Sequence, residues 1–300
     1  MTRVLTRASE RGGAGRRVSS LLYRHAVLRL AALVTAPALW LVVVYLGSLA
    51  LLLVTSVWTV NSFTGNIVPT FTFDNFATIL HEGVYRVIVG RTVGIAAMVT
   101  VIDMVLAVPM AVYMARVAKP WARRLLVVAI LTPLWSNYLV KAYAWKVMLS
   151  EGGLIDWLTH PVGASSPGFS VTSTTIVLAY LWLPYMILPI YAGLDRLPNS
   201  LLEASSDLGA RSMRTFRMVV LPIIRPAIIA GSIFTFSLAL GDYIAVQIVG
   251  GGTQMIGNVV YANVGAANNL PFAAALAVIP IVIMVVFLLA VRRTGALDEM

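Results

Sequence analysis

Six apolar windows of roughly 20 residues, each long enough to cross a hydrocarbon layer as a helix, dominate this sequence. They run over Ala31–Val57, Thr92–Met114, Leu125–Leu149, Thr174–Leu194, Pro226–Val249 and Phe272–Val291. Hydrophobic residues make up 59% of the 300 and charged residues 11%, whereas a soluble domain carries about 25% charged residues. No aqueous fold hides that much apolar surface. The expected fold is an all-α integral membrane protein with six transmembrane helices.

Charge sets the expected orientation. Residues 1–29 hold seven Lys and Arg against one acid, Arg116–Arg124 holds four against none, and Asp195–Arg225 holds five against three. Arg292 and Arg293 follow the last window. The connections Trp58–Arg91, Ser150–Ser173 and Gly250–Pro271 are poor in basic residues or uncharged. Basic connections therefore alternate with non-basic ones, which puts both termini in the cytoplasm by the positive-inside rule. The net charge of +10 is thus a topology signal, and nucleic acid is not an expected partner. Residues 1–29 read as a basic cytoplasmic tail, 30–292 as a transmembrane domain and 293–300 as a cytoplasmic tail. The twin arginine in "GRRVSSLLYRH" precedes an apolar run too long for a cleaved export signal, and reads as an anchor for the first span.

The sequence has no cysteine and only three scattered histidines, so neither a thiolate site nor a His-based metal spacing is present. No G-x-x-x-x-G-K-[ST] loop occurs, so the chain lacks an evident means of hydrolysing ATP. Phe63, Phe71, Phe73 and Phe76 in the first outer loop suit either the interfacial belt or an external partner. The glycine-rich, uncharged stretch 250–271 reads as a flexible outer connection.

One polar segment interrupts the apolar blocks. Ser200 and Glu203 stand at capping-box spacing, and Gly209 at the position of a left-handed C-cap. Leu201, Leu202, Ser205 and Leu208 fall on one face. A second helical piece begins near Ser212, with Arg211, Arg214 and Arg217 spread over a wedge of about 120° that suits lipid phosphates. Pro222 and Pro226 bracket the start of the fifth span. The segment, about 197–222, reads as a helix–Gly–helix elbow at the cytoplasmic surface.

"EASSDLGARSMRTFRMVVLP" resembles the EAA loop of bacterial ABC-importer permeases of type I. Glu203, Ala204, Gly209, Leu221 and Pro222 match that pattern in identity and spacing, with Ser205 in place of the second Ala and Val219 in place of Ile. "TPLWSNYLVKAYAWKVMLSEGGLIDWL" and "LALGDYIAVQIVGGGTQMIGN" are similar to segments of the spermidine/putrescine permease group, with Lys141 where that group has Arg. The resemblance implies a coupling helix over Glu203, Ala204, Ser205, Asp207, Leu208, Gly209 and Ala210. It implies a second homologous permease, two ATPase subunits that hold the ATP and Mg, and an extracytoplasmic binding protein. It also implies a bacterial inner-membrane location, surrounding lipid, and a translocating rather than catalytic role.

Ionisable groups inside the windows are costly and need partners or water. Asp103 sits near the middle of the second window, as a core residue or on a solute path. Lys141 and Asp242 share a depth and would either pair or line that path, while Lys146 lies near an outer end and can snorkel. Trp135, Tyr138, Tyr143, Trp182, Tyr185 and Tyr243 would offer cation–π surfaces to a polyamine or pack as ordinary belt residues. An ion-coupled secondary transporter using Asp103 and Asp242 is the alternative, although the inverted repeats such carriers show are not evident.

Overall fold

The computed structural model describes residues 26–292 apart from Ser62 and Ala164. Most of the basic N-terminal tail and the 293–300 tail therefore lie outside the described residues. The chain divides at Thr55 into two units. The first is a helical run of α1 (Ala26–Trp40), a π-turn over Leu41–Leu46 and α2 (Gly47–Thr55). Most of its large apolar side chains from Leu30 to Val54 are exposed, as expected of a helix that faces lipid rather than a protein core.

The second unit opens with a small hairpin, β1 (Thr59–Val60) and β2 (Ile67–Val68), paired antiparallel, and α3 (Asp74–His81). Phe63, Phe71 and Phe73 are exposed here, while Phe76 packs inward beside Ile79. Then come α4 (Gly83–Val112), α5 (Pro120–Trp135), α6 (Tyr138–Leu149), the short α7 (Leu154–Thr159) and α8 (Val171–Asp195). The chain continues through α9 (Asn199–Asp207), α10 (Ser212–Thr215), α11 (Leu221–Gly241), α12 (Ile244–Val249), α13 (Ile256–Val264) and α14 (Leu270–Arg292).

Helices α4, α8 and α11 pack as a central trio. One apolar cluster, around Val99, Leu178 and Phe236, fills the trio towards the hairpin end. A second, around Ala111, Met186, Ile190 and Ile224, fills it towards the elbow end. Lipid supplies no hydrophobic drive between helices, so association depends on close packing. The alanines at 96, 107 and 111, all fully buried, let the α4 backbone come close to its neighbours.

Three windows depart from simple spans. The second extends through a π-turn at Tyr113–Val117 into a helix of 35 residues, roughly 50 Å at 1.5 Å per residue. Its bounds are wider than the apolar window because Arg86 and Arg91 continue the helix beyond the apolar stretch. The third window is not one helix: α5 and α6 meet at a bend of 99°. Pro133 interrupts the α5 ladder, and Asn137 restarts the chain by accepting the Leu139 N–H at 2.9 Å. With that bent pair taken as one span, the described residues hold six candidate spans.

The fifth window breaks at Asp242 and Tyr243, between α11 and α12. At its other end the helix is continuous from Ser212 to Gly241, so Pro222 and Pro226 do not bracket a start. A π-turn at Phe216–Val220 lies just before Pro222, a local widening of the kind found where a helix is perturbed. The 250–271 stretch, expected to be a flexible connection, contains α13. That helix folds back on the bundle, where the Ile256 N–H donates to Thr92 Oγ1 at 3.0 Å.

Candidate functional site

The elbow has the expected turn and an unexpected start. Its N-cap is Pro198, without a side-chain cap, so Ser200 and Glu203 do not form a capping box. The chain enters α9 from a proline already in extended geometry, and the Asn199 side chain is engaged elsewhere, by Arg116. At the other end Gly209 adopts φ +74°. The Gly209 N–H donates to Ser206 O at 2.8 Å and the Ala210 N–H to Ser205 O at 3.1 Å, the paired bonds of a Schellman motif.

The predicted single face of α9 is split. Leu202 and Ser205 turn inward, half-buried, while Leu201, Glu203, Ala204 and Asp207 are exposed and Leu208 is 88% exposed. Leu202 packs against the elbow-end cluster, and the Ser205 hydroxyl meets that of Thr215 at 2.9 Å. The outward side thus carries an acidic pair, Glu203 and Asp207, around an apolar tip at Leu208. Arg211, Arg214 and Arg217 are exposed as a group beyond Gly209.

Sequence reading missed two residues at this end. Arg116 donates through Nη1 to Asn199 Oδ1 at 2.7 Å and through Nη2 to the carbonyls of Leu197, at 2.7 Å, and Leu194. Arg123 donates to the carbonyls of Met114 at 3.1 Å and Ala115 at 2.8 Å, and pairs with Asp195 at 3.3 Å. Both arginines lie in the basic stretch Arg116–Arg124, where their charge was legible but their partners were not.

The second site lies at the break between α11 and α12. Tyr138 at the start of α6, Trp182 in α8, and Gly241, Asp242 and Tyr243 at the break line a cavity of about 310 Å³. The Tyr138 hydroxyl donates to Asp242 Oδ2, and the Ala245 N–H donates to Oδ1 at 3.0 Å. Asp242 therefore caps the restarted helix and anchors a tyrosine at once. Each carboxylate oxygen keeps a further acceptor site. Tyr138 stacks on Trp182 with centroids 6.0 Å apart, and Tyr185 lies 5.9 Å beyond. The carbonyl end of α11 adds a negative pole beside the carboxylate. The cavity offers a carboxylate and stacked aromatic rings, the groups that hold an organic cation.

Helix α13 closes on the same break. The Asn258 side chain donates to Tyr243 O at 2.9 Å, and Tyr243 stacks on Tyr261 at 5.1 Å. A Cβ at Gly257 would sit 2.9 Å from the Tyr243 Cβ, so this approach requires glycine.

Not every expected path residue joins the cavity. Lys141 does not pair with Asp242: its Nζ donates to Pro133 O at 2.8 Å. The bend turns Lys141 back across the break, where it meets a carbonyl in the last turn of α5 that the helix leaves without a regular donor. Trp135 is 89% exposed, and Tyr143 is exposed beneath Lys146, whose Nζ is 6.0 Å from its ring. Asp103 is fully buried in α4. Neither of its carboxylate oxygens has a hydrogen-bond partner among the described residues, and it does not line the cavity.

Residues 107–294 match the family model described as "Binding-protein-dependent transport system inner membrane component". The chain is 42% identical over 305 residues, 97% of each chain, to the inner membrane ABC transporter permease protein YdcU of Escherichia coli. It is 31% identical over 231 residues, 75% of this chain and 80% of the relative, to the spermidine/putrescine transport system permease protein PotB of Haemophilus influenzae. Its fold is similar to a chain of a bacterial ABC transporter involved in the import of alginate, with a TM-score of 0.73 and 15% identity over 93% of this chain and 98% of that one. A structure of an alginate transporter in complex with a pentasaccharide-bound periplasmic protein matches equally, at 0.73.

Proposed function

The chain belongs to the family of binding-protein-dependent transport system inner membrane components, and from that membership we propose that its cargo is a polyamine or a related small organic cation. It is the membrane-spanning permease subunit of an ABC importer, and the alternative of an ion-coupled carrier gives way to that membership. The observation that carries the cargo reading is the cavity in which Asp242 faces the stacked rings of Tyr138 and Trp182. The relatives named for spermidine and putrescine transport support it.

In this reading a second, similar permease completes the path, and an extracytoplasmic binding protein delivers the solute. Two ATPase subunits hold ATP and Mg and hydrolyse the nucleotide. They receive the exposed side of α9 around Glu203, Asp207 and Leu208, on the cytoplasmic face with both termini. Their closure moves the elbow, and the bundle alternates between inward-open and outward-open states. Within this chain Asp242 offers the charge and the aromatic rings the faces for the cation, while the apolar trio excludes water elsewhere.

The test is uptake of radiolabelled putrescine and spermidine by cells with and without the gene. Loss of saturable uptake in the deletion, and its reduction at least fivefold by Asp242→Asn in a normally inserted protein, is the expected result. Unchanged polyamine uptake in the deletion would overturn the cargo.

A further inference from the structure

We infer that Arg116 is a positioning residue that transmits movement of the elbow helix to the end of α4, an inference that rests on the ATPase-docking reading of the elbow. The covalent chain joins α9 only to α8, through residues 196–198, and to α10, through residues 208–211. No covalent route leads directly from α9 to α4, which is 83 residues away along the chain at the Arg116–Asn199 contact. Arg116 bridges that gap from the π-turn that ends α4. Its guanidinium holds three acceptors at once: Asn199 Oδ1 in the elbow, and the carbonyls of Leu197 and Leu194 where α8 ends.

The chemistry suits arginine specifically. The last carbonyls of a helix lack intrahelical donors and favour a cation. The planar fork reaches the two carbonyls from one terminal nitrogen and the amide oxygen from the other, a spread that the single nitrogen of an ammonium does not reproduce. The far end of the link is also held. Met114 and Ala115 are buried beside Arg116, and Arg123 from α5 binds their carbonyls while pairing with Asp195 of α8.

The ends of α4 and α8 and the starts of α5 and α9 are therefore knotted by two side chains. A push on α9 reaches α4, a member of the central trio, without passing through the apolar core. Asn199 is the single elbow side chain in the knot, so its removal should break the direct hydrogen bond from α9 to the end of α4 while leaving both carbonyl caps in place.

A capping role alone predicts something different. If the knot only neutralises the end of α8, a lysine at 116 would serve, and Asn199 would be dispensable.

The chain has no cysteine of its own, so single cysteines report position within it. Ser206→Cys reads the elbow and Val117→Cys the end of α4; both sites are exposed. The complete importer, purified through a tag on this chain and reconstituted in liposomes, is labelled with a thiol reagent with and without ATP plus vanadate. In the otherwise unchanged protein both labelling rates should change with nucleotide. In Asn199→Ala and Arg116→Gln the change at position 206 should persist, while that at 117 should shrink at least fivefold; Arg116→Lys should behave like Arg116→Gln. Should Arg116→Gln fail to assemble, Asn199→Ala decides, since it keeps the arginine and its carbonyl bonds.

Changes at both positions in Asn199→Ala, or their restoration at position 117 by lysine, would overturn the link alone. No nucleotide response at position 206 in the unchanged importer would overturn the docking reading and the link with it.

Discussion

The hydroxyls of Ser205 and Thr215 lie 2.9 Å apart, tying the elbow helix α9 to the first turn of the long helix that becomes the fifth span. The family pattern has alanine at position 205, which cannot make this bond. The two arms of the elbow are thus fastened across Gly209 by a side-chain contact as well as by the Schellman bonds.

Ser205→Ala should loosen the elbow by the net worth of one hydrogen bond, about 0.5–1.5 kcal/mol. Amide exchange over residues 205–215, followed by mass spectrometry, should quicken by roughly two- to tenfold, since about 1.4 kcal/mol is tenfold. Thr215→Val should have the same effect, and the double variant should be no worse than either single one. Additive effects would show that the two hydroxyls act separately.

Gly209 needs its left-handed backbone but not an empty side-chain space, since a Cβ there meets nothing within 4 Å. Gly209→Ala should therefore cost about 1–2 kcal/mol, the left-handed penalty alone, and Gly209→Asn less. Gly209→Pro cannot reach φ +74° and also loses the N–H bonded to Ser206. Uptake by inserted protein should fall in the order Gly, Asn, Ala, Pro. Normal uptake by a well-inserted Gly209→Pro protein would reduce the elbow to a connector.

Asp242 and Tyr138 should couple in a double-mutant cycle, whereas Asp242 and Lys141 should not. Detergent-stable yield and melting temperature of Tyr138→Phe, Asp242→Asn and the double variant should reveal a coupling of about 0.5–3 kcal/mol. Lys141→Met should add independently to Asp242→Asn, because its partner is the Pro133 carbonyl. Rescue of Asp242→Asn by Lys141→Met would contradict the geometry described above.

Asp156, in the first turn of α7, accepts the Ser166 N–H at 3.1 Å and the Gly152 N–H at 3.2 Å. These bonds, Ser166 first, hold its carboxyl below the ordinary carboxylate range, with His160 adding to the effect. A lowered folded value means that the stabilisation is complete above the unfolded carboxylate range, about 3.9. It is lost as pH falls through the folded value. Protease cleavage within 150–170 should therefore rise as pH drops through that acid window. An acid-active protease such as pepsin would read it. Asp156→Asn should be cleaved more readily than the unchanged protein at the upper, weakly acidic edge of that window and show little of that rise.

The membrane class, the positions of the spans and the elbow were legible in the sequence because each is written in neighbouring residues. Apolar length marks a span, and Gly209 followed by the Leu221–Pro222 pair marks the elbow. The capping box at Ser200 was misread for the same reason. Local spacing permitted it, but Arg116, far away in the chain, takes the Asn199 side chain, and Pro198 supplies the helix start.

Depth along a helix put Lys141 and Asp242 at one level, yet depth does not specify direction. The 99° bend between α5 and α6 turned Lys141 back to Pro133 and brought Tyr138 to Asp242, 104 residues away. Hydropathy determined what must lie in lipid, since transfer from water depends on each residue's own surface. Hydrogen-bond partners were decided only by the folded chain, because a polar group in an apolar bundle takes whichever donor or acceptor the packing brings within 3 Å.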